Sequence, residues 1–237
     1  MSYIPNPHPH LAELAPNGQA KVDWLAWFND GIVIDAAHCL AGRPDLFTIK
    51  LLPEAADQPK IEPRGQVFHT QGGPTKASNN AVWNLCARKE WKSEPHIIGP
   101  EMVGGRCIQA IPFNVRADSN LDGNLFPLGG KARGHISLET QDSGYKNVPL
   151  AKDPWTLEQF NIGAGISTAL CATYRMSCGD MYAWNASGIA PHNRWPNFSS
   201  SSHNCPGPAR SLQMDELRRE VAKRLAAYYT AVGEVCP

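Results

Sequence analysis

The sequence predicts an α/β domain: a central mixed β-sheet flanked by helices. Three observations carry this expectation. Short β-like runs recur at 66–70, 95–99, 106–112 and 135–140, interleaved with three stretches of helical apolar spacing. A glycine-bearing loop with Gly104 and Gly105 joins the second run to the third, which suggests a hairpin and hence a mixed sheet. Within the fourth run Ile136 and Leu138 alternate with Ser137 and Glu139, the period of a strand with two different faces.

Residues 1–60 are read as an N-terminal extension of unknown role. They carry Pro5, Pro7, Pro9 and Pro16, a short helical pattern over 22–28, and strand-like pieces at 32–34 and 47–51. From residue 61 the pattern tightens into one domain reaching residue 237, with no internal repeat and no linker. Gln66–Thr70 is a strand that ends in His69 and is broken by Gly72-Gly73-Pro74. Ser78 is a suitable cap for a helix over 79–92, where Val82, Leu85 and Cys86 share a face. Residues 114–133 read as a long loop, and loops of that length usually carry function. Asp153-Pro154 reads as the start of a buried helix to about Tyr174, with the aspartate as its cap. An amphipathic helix over 211–232 closes the chain, with Leu217, Val221, Leu225, Tyr228 and Val232 in one stripe.

Composition excludes several function classes. Lys+Arg and Asp+Glu are equal at 22 each, so no basic surplus points to nucleic acid. A hydrophobic content of 42% with 19% charged residues is that of a folded globular chain. The longest largely apolar run, Ile162–Tyr174, is well short of the ~20 residues a membrane span needs. The first ten residues have neither the basic region nor the apolar centre of a secretory signal, so synthesis in the cytoplasm is expected. Seven cysteines is an odd number for a disulfide framework, and most are read as small buried hydrophobes.

The chemistry concentrates in Pro191–Arg210, PHNRWPNFSSSSHNCPGPAR. His192, His203 and Cys205 carry the side chains that zinc takes most often, and Pro206-Gly207 would turn the backbone beside the sulfur. A catalytic zinc usually has three protein ligands and one open position, so a further ligand is sought elsewhere in the chain. A competing pattern is Asp35-Ala36-Ala37-His38-Cys39, which resembles the histidine segment of trypsin-like serine proteases. Asp142-Ser143-Gly144 is only a fragment of that family's nucleophile setting, and the helical patterns argue against its all-strand fold.

Taken in order, VFHTQGG, PHIIG with GGRCIQAIP, ISLETQD, and PH with SHNCPGPAR resemble the zinc-dependent N-acetylmuramoyl-L-alanine amidases of type 2. These are relatives of the peptidoglycan recognition proteins and are common among bacteriophage endolysins. The resemblance covers roughly residues 61–237. It implies that His69, His192 and Cys205 hold Zn2+ and that Glu139 activates water. It also implies that His203 supports the oxyanion, in the place where many members carry lysine. His96 and Asn120 are the substrate-binding candidates, with His96 equally open to a role supporting the site or a purely structural one. Two departures stand out: twelve residues separate His192 from Cys205, and Pro95 occupies the position where some members carry a catalytic tyrosine. The implied partner is bacterial peptidoglycan, cut between N-acetylmuramic acid and L-alanine by a monomer without nucleic-acid or membrane binding. As an endolysin it would wait in the host cytoplasm for holin-mediated release. The alternative is a module of the same fold that binds peptidoglycan without cutting it.

Overall fold

The computed structural model describes residues 47–198 and 204–232. Seven strands pair among these residues: β1 (Phe47–Ile49), β2 (Glu62–Thr70), β3 (Ile97–Ile98), β4 (Cys107–Gln109), β5 (Phe126–Leu128), β6 (Lys131–Thr140) and β7 (Ile189–Pro191). Their order is β1-β4-β3-β6-β2-β7, with β5 against the start of β6. The β3–β4 and β5–β6 pairs are antiparallel and the others parallel, so the sheet is mixed, as the hairpin signal predicts. Three α-helices accompany it: α1 (Asn79–Ala87), α2 (Leu157–Tyr174) and α3 (Pro208–Val232).

Alternation along β2 and β6 assigns each face its task. Phe68, Ile136 and Leu138 point to one side and pack with Ile162, Ile166 and Leu170 of α2 and Leu217, Val221 and Leu225 of α3. Tyr229 extends the α3 stripe into this core. Beneath β3 and β4, Val82 and Cys86 of α1 close a second core with Ile98 and Ile108. Val67, His69, Ser137 and Glu139 alternate with the first set and lie on the face away from α2 and α3. Burial of these apolar side chains, each worth roughly 1.5–3 kcal/mol, holds the helix pair to the sheet.

Several boundaries differ from the sequence reading, each for a local reason. Strand β1 lies within 1–60 and pairs with β4, so the sheet begins before residue 61. The helix over 79–92 stops at Ala87, because Lys89 takes a left-handed conformation at φ 57°. The long loop 114–133 contains β5, turned back into β6 by Gly129-Gly130 with positive φ at both residues. Asp153 does not cap α2; Thr156 does, in a capping box with Gln159. The Asp153 carboxylate is instead drawn to the buried Arg210, 3.0 Å away. Helix α3 begins at Pro208, whose fixed φ suits a first turn. No described helix is long and apolar enough to cross a membrane. The helical pattern over 22–28, the strand-like piece at 32–34, and Cys39 and His38 lie outside the described residues.

Candidate metal centre

Strand register builds the site. His69 and Glu139 are direct partners across the parallel β2–β6 pair, so their side chains emerge side by side. Phe68 pairs with Pro191 in β7, so the next residues along, His69 and His192, become neighbours. Their rings lie 4.2 Å apart between centroids. The chain then returns before α3 with Cys205, whose Sγ accepts the Thr70 N–H at 3.2 Å. Candidate ligand atoms of His69, His192 and Cys205 all fall within 4.8 Å of one another, and all three residues are buried.

Each imidazole is turned by a bond from its far nitrogen. His69 Nε2 meets Asn120 Oδ1 at 2.6 Å, and His192 Nε2 meets the Phe198 carbonyl oxygen. Both rings therefore donate from Nε2 and direct Nδ1 inward, the arrangement in which an outer acceptor orients a metal-binding histidine. Asn120 is itself fixed: its Nδ2 donates to the His135 carbonyl at 3.1 Å, which turns Oδ1 toward His69.

Glu139 stands beside the three, next to His69. Its Oε1 lies 3.6 Å from His69 Nδ1, and its buried Oε2 has no hydrogen-bond partner among the described residues. Burial, with a smaller contribution from Asp142, holds its carboxyl well above the usual carboxylate range. Burial also pushes the Cys205 thiol up, aided by Glu139 and opposed by the Thr70 N–H and Arg210. A dication at this point reverses both preferences, because it favours carboxylate and thiolate over their acids.

The donor set fits zinc. Two neutral imidazoles and one thiolate suit a borderline-soft cation, and donors around tetrahedral zinc stand about 3.3–3.8 Å apart, inside the observed spread. The unpartnered Oε2 adds a buried acceptor where a zinc-held water would need one. The site opens into a cleft of about 340 Å³, whose wall includes Gln71, Trp91, Ser93, Ser119, Leu150 and Asn204.

The other sequence candidates are placed differently. His96 is fully buried beneath the sheet; its Nδ1 accepts the Ser137 N–H at 3.1 Å and its Nε2 donates to the Val115 carbonyl at 2.9 Å. It does not reach the cleft. Asn120 is likewise buried, as a partner of His69 and not as a groove residue. His203 lies outside the described residues. Ser143 hydrogen-bonds Asp153 at 2.9 Å, in keeping with a structural role and not with a protease nucleophile. Cys86 and Cys107 are free and buried, as small hydrophobes, and Cys171 is buried in the main core.

Three residues take structural roles that their sequence setting does not show. Asp142 accepts from Thr70 Oγ1 at 2.5 Å and from Gly72 N at 2.6 Å, fixing the turn after β2. Arg210 and Asp153 form a buried pair behind the strand ends. No sequence signal marks them, since they meet only through the fold.

No family model matches the chain, and no curated protein matches it. Among solved structures, the Staphylococcus aureus hydrolase AmiA in complex with its ligand is similar at 13% identity and a TM-score of 0.54. The likeness covers 86% of this chain and 96% of that one. The chain has the fold of AmiA. N-acetylmuramoyl-L-alanine amidase LysC from Clostridium intestinale URNW is similar at 13% identity, with a TM-score of 0.49 over 74% of this chain and 97% of that one. A mutant endolysin from Bacillus subtilis is similar at 17% identity, with a TM-score of 0.49 over 74% and 96%.

Proposed function

We propose that this chain is a zinc-dependent peptidoglycan hydrolase that cuts the amide between N-acetylmuramic acid and L-alanine. The observation that carries the reading is the buried His69–His192–Cys205 triad with Glu139 beside it, in a fold shared with the hydrolase AmiA. On this reading His69 Nδ1, His192 Nδ1 and Cys205 Sγ hold Zn2+. When bound, it supplies a Lewis acid for the carbonyl and lowers the pKa of a bound water to about 7.

The protein's own groups then act in sequence. Glu139 takes the proton from the attacking water through its unpartnered Oε2 and returns it to the leaving nitrogen. Its buried position keeps that proton from bulk solvent during the transfer. The cleft wall orients the scissile amide, with Trp91 and Leu150 as apolar contacts and Ser93, Ser119 and Gln71 as polar ones. His203, two residues before Cys205, is assigned to the oxyanion in this proposal. The catalytic unit takes in the sheet from residue 47 onward, and an endolysin of this kind acts on the wall after a separate holin opens the membrane.

Release of labelled fragments from purified cell walls, with and without a chelator, tests the reading. Metal-loaded protein is expected to release fragments ending in a free L-alanine amine, and chelation to stop it. Cys205→Ser should lose the metal, whereas Glu139→Ala should keep it and lose ~10²-fold or more in rate. Binding of walls without fragment release would instead assign the chain as a recognition module. Lysis that survives chelation removes the metal from the mechanism.

A further inference from the structure

Arg210 is the largest fully buried side chain among the described residues, yet it touches neither the cleft nor a candidate ligand. It sits in the first turn of α3, on the helix face of the sheet. Its Nε donates to the Asp153 carbonyl at 2.9 Å, and Nη2 to Asp153 Oδ2 and the Gln141 carbonyl, both at 3.0 Å. Its Nη1 reaches Thr140 Oγ1 at 2.7 Å and Thr70 Oγ1 at 3.3 Å. These five contacts match the five N–H donors of a guanidinium.

The two threonines make this pattern informative. Thr70 follows His69 on β2, and Thr140 follows Glu139 on β6. Alternation turns their side chains to the helix face just as it turns His69 and Glu139 to the site face. Thr70 also gives its N–H to Cys205 Sγ, and Thr140 Oγ1 donates to the His69 carbonyl at 2.6 Å. The segment from Cys205 to Arg210 therefore straddles the ends of two strands. Its sulfur is seated on one side and its guanidinium grips from the other. Gly207 allows the crossing: at φ 103°, a Cβ there would stand 2.9 Å from the Leu150 carbonyl oxygen.

We infer that Arg210 is a positioning residue that sets the spacing of Cys205 against His69 and Glu139 by clamping the ends of β2 and β6. The inference rests on the metal-site reading above. Apolar packing of Met214, Leu217, Val221 and Leu225 already docks α3, so a buried ion pair is not required to attach the helix. A lysine would keep the charge but lack the planar fork that spans two threonines, two carbonyls and a carboxylate.

The test uses the whole chain loaded with Co2+, read by the thiolate-to-cobalt absorption band and by competition with a chromophoric chelator. Arg210→Lys, and the double variant Arg210→Met with Asp153→Leu, are expected to bind Co2+ and Zn2+ at least tenfold more weakly and to show a diminished thiolate band. Thr140→Val, which removes the shortest Arg210 contact at nearly constant volume, should show a smaller loss of the same kind and serves if the arginine variants do not fold. Leu225→Ala lowers stability within α3 and should leave affinity and band unchanged. Wild-type affinity and band in the foldable Arg210 and Thr140 variants overturn the inference, as does an equal loss in Leu225→Ala. Wild-type protein that binds neither metal instead overturns the metal-site reading itself.

Discussion

Each histidine of the site is oriented by one oxygen acceptor, Asn120 Oδ1 for His69 and the Phe198 carbonyl for His192. A side-chain acceptor can be deleted where a carbonyl cannot, so Asn120 gives the cleaner test. Asn120→Ala is expected to weaken zinc binding by about 10–100-fold, the usual cost of losing an outer partner of a metal-bound histidine. Asn120→Asp, which keeps an acceptor toward Nε2, should recover most of it. Chelator competition on the purified variants measures both, and unchanged affinity in the alanine variant would show that packing alone holds the ring.

At the scale of the element, the start of α2 decides where Asp153 goes. The Gln159 N–H donates to Thr156 Oγ1 at 3.1 Å, and the Thr156 N–H donates to Gln159 Oε1 at 3.2 Å. Gln159 Nε2 then reaches the Pro100 and Gln141 carbonyls, at 2.9 and 2.8 Å. With the cap supplied by threonine, Asp153 is left to pair with Arg210. Thr156→Ala should cost ~1 kcal/mol, seen as a fall of about 2–4 °C in Tm, with metal affinity unaltered. A thermal melt beside a zinc titration checks both halves of that expectation.

For the whole molecule the buried histidines set an acid limit. Burial pushes both His96 and His135 down to about 4 from the ordinary 6.5. Between those pH values the unfolded chain binds protons that the folded chain refuses, so stability is present above 6.5 and is lost as pH falls toward 4. Each histidine contributes on the order of 3 kcal/mol to that loss. Glu139 works in the other direction in the metal-free protein: its raised carboxyl favours folding at low pH and less so as pH rises. Urea unfolding at pH 7 and pH 4.5 should show a steep drop, flattened in His135→Gln, whose ring otherwise donates to the Trp184 carbonyl at 2.7 Å. An equal drop in that variant would assign the acid limit to other groups.

The sequence by itself determined which residues carry periodicity and which carry metal chemistry. Alternation in β6 separated Ile136 and Leu138 from Glu139, and helical spacing marked Leu217, Val221 and Leu225 as the buried stripe of α3. Imidazole and thiol mark His192, His203 and Cys205 by type, and the resemblance of VFHTQGG to the type 2 amidases adds His69 and implies the set His69, His192 and Cys205. Gly129-Gly130 is also a legible hairpin signal, set in a stretch whose other residues suit a loop. What remained was relational. Whether Asn120 and His96 face a groove or lie beneath the sheet depends on which strands pair. Whether Asp153 caps a helix or neutralises Arg210 depends on a residue 57 positions away. Local spacing encodes which face a side chain takes, but only the strand register brings His69, His192, Cys205 and Glu139 to one point and sets Arg210 behind them.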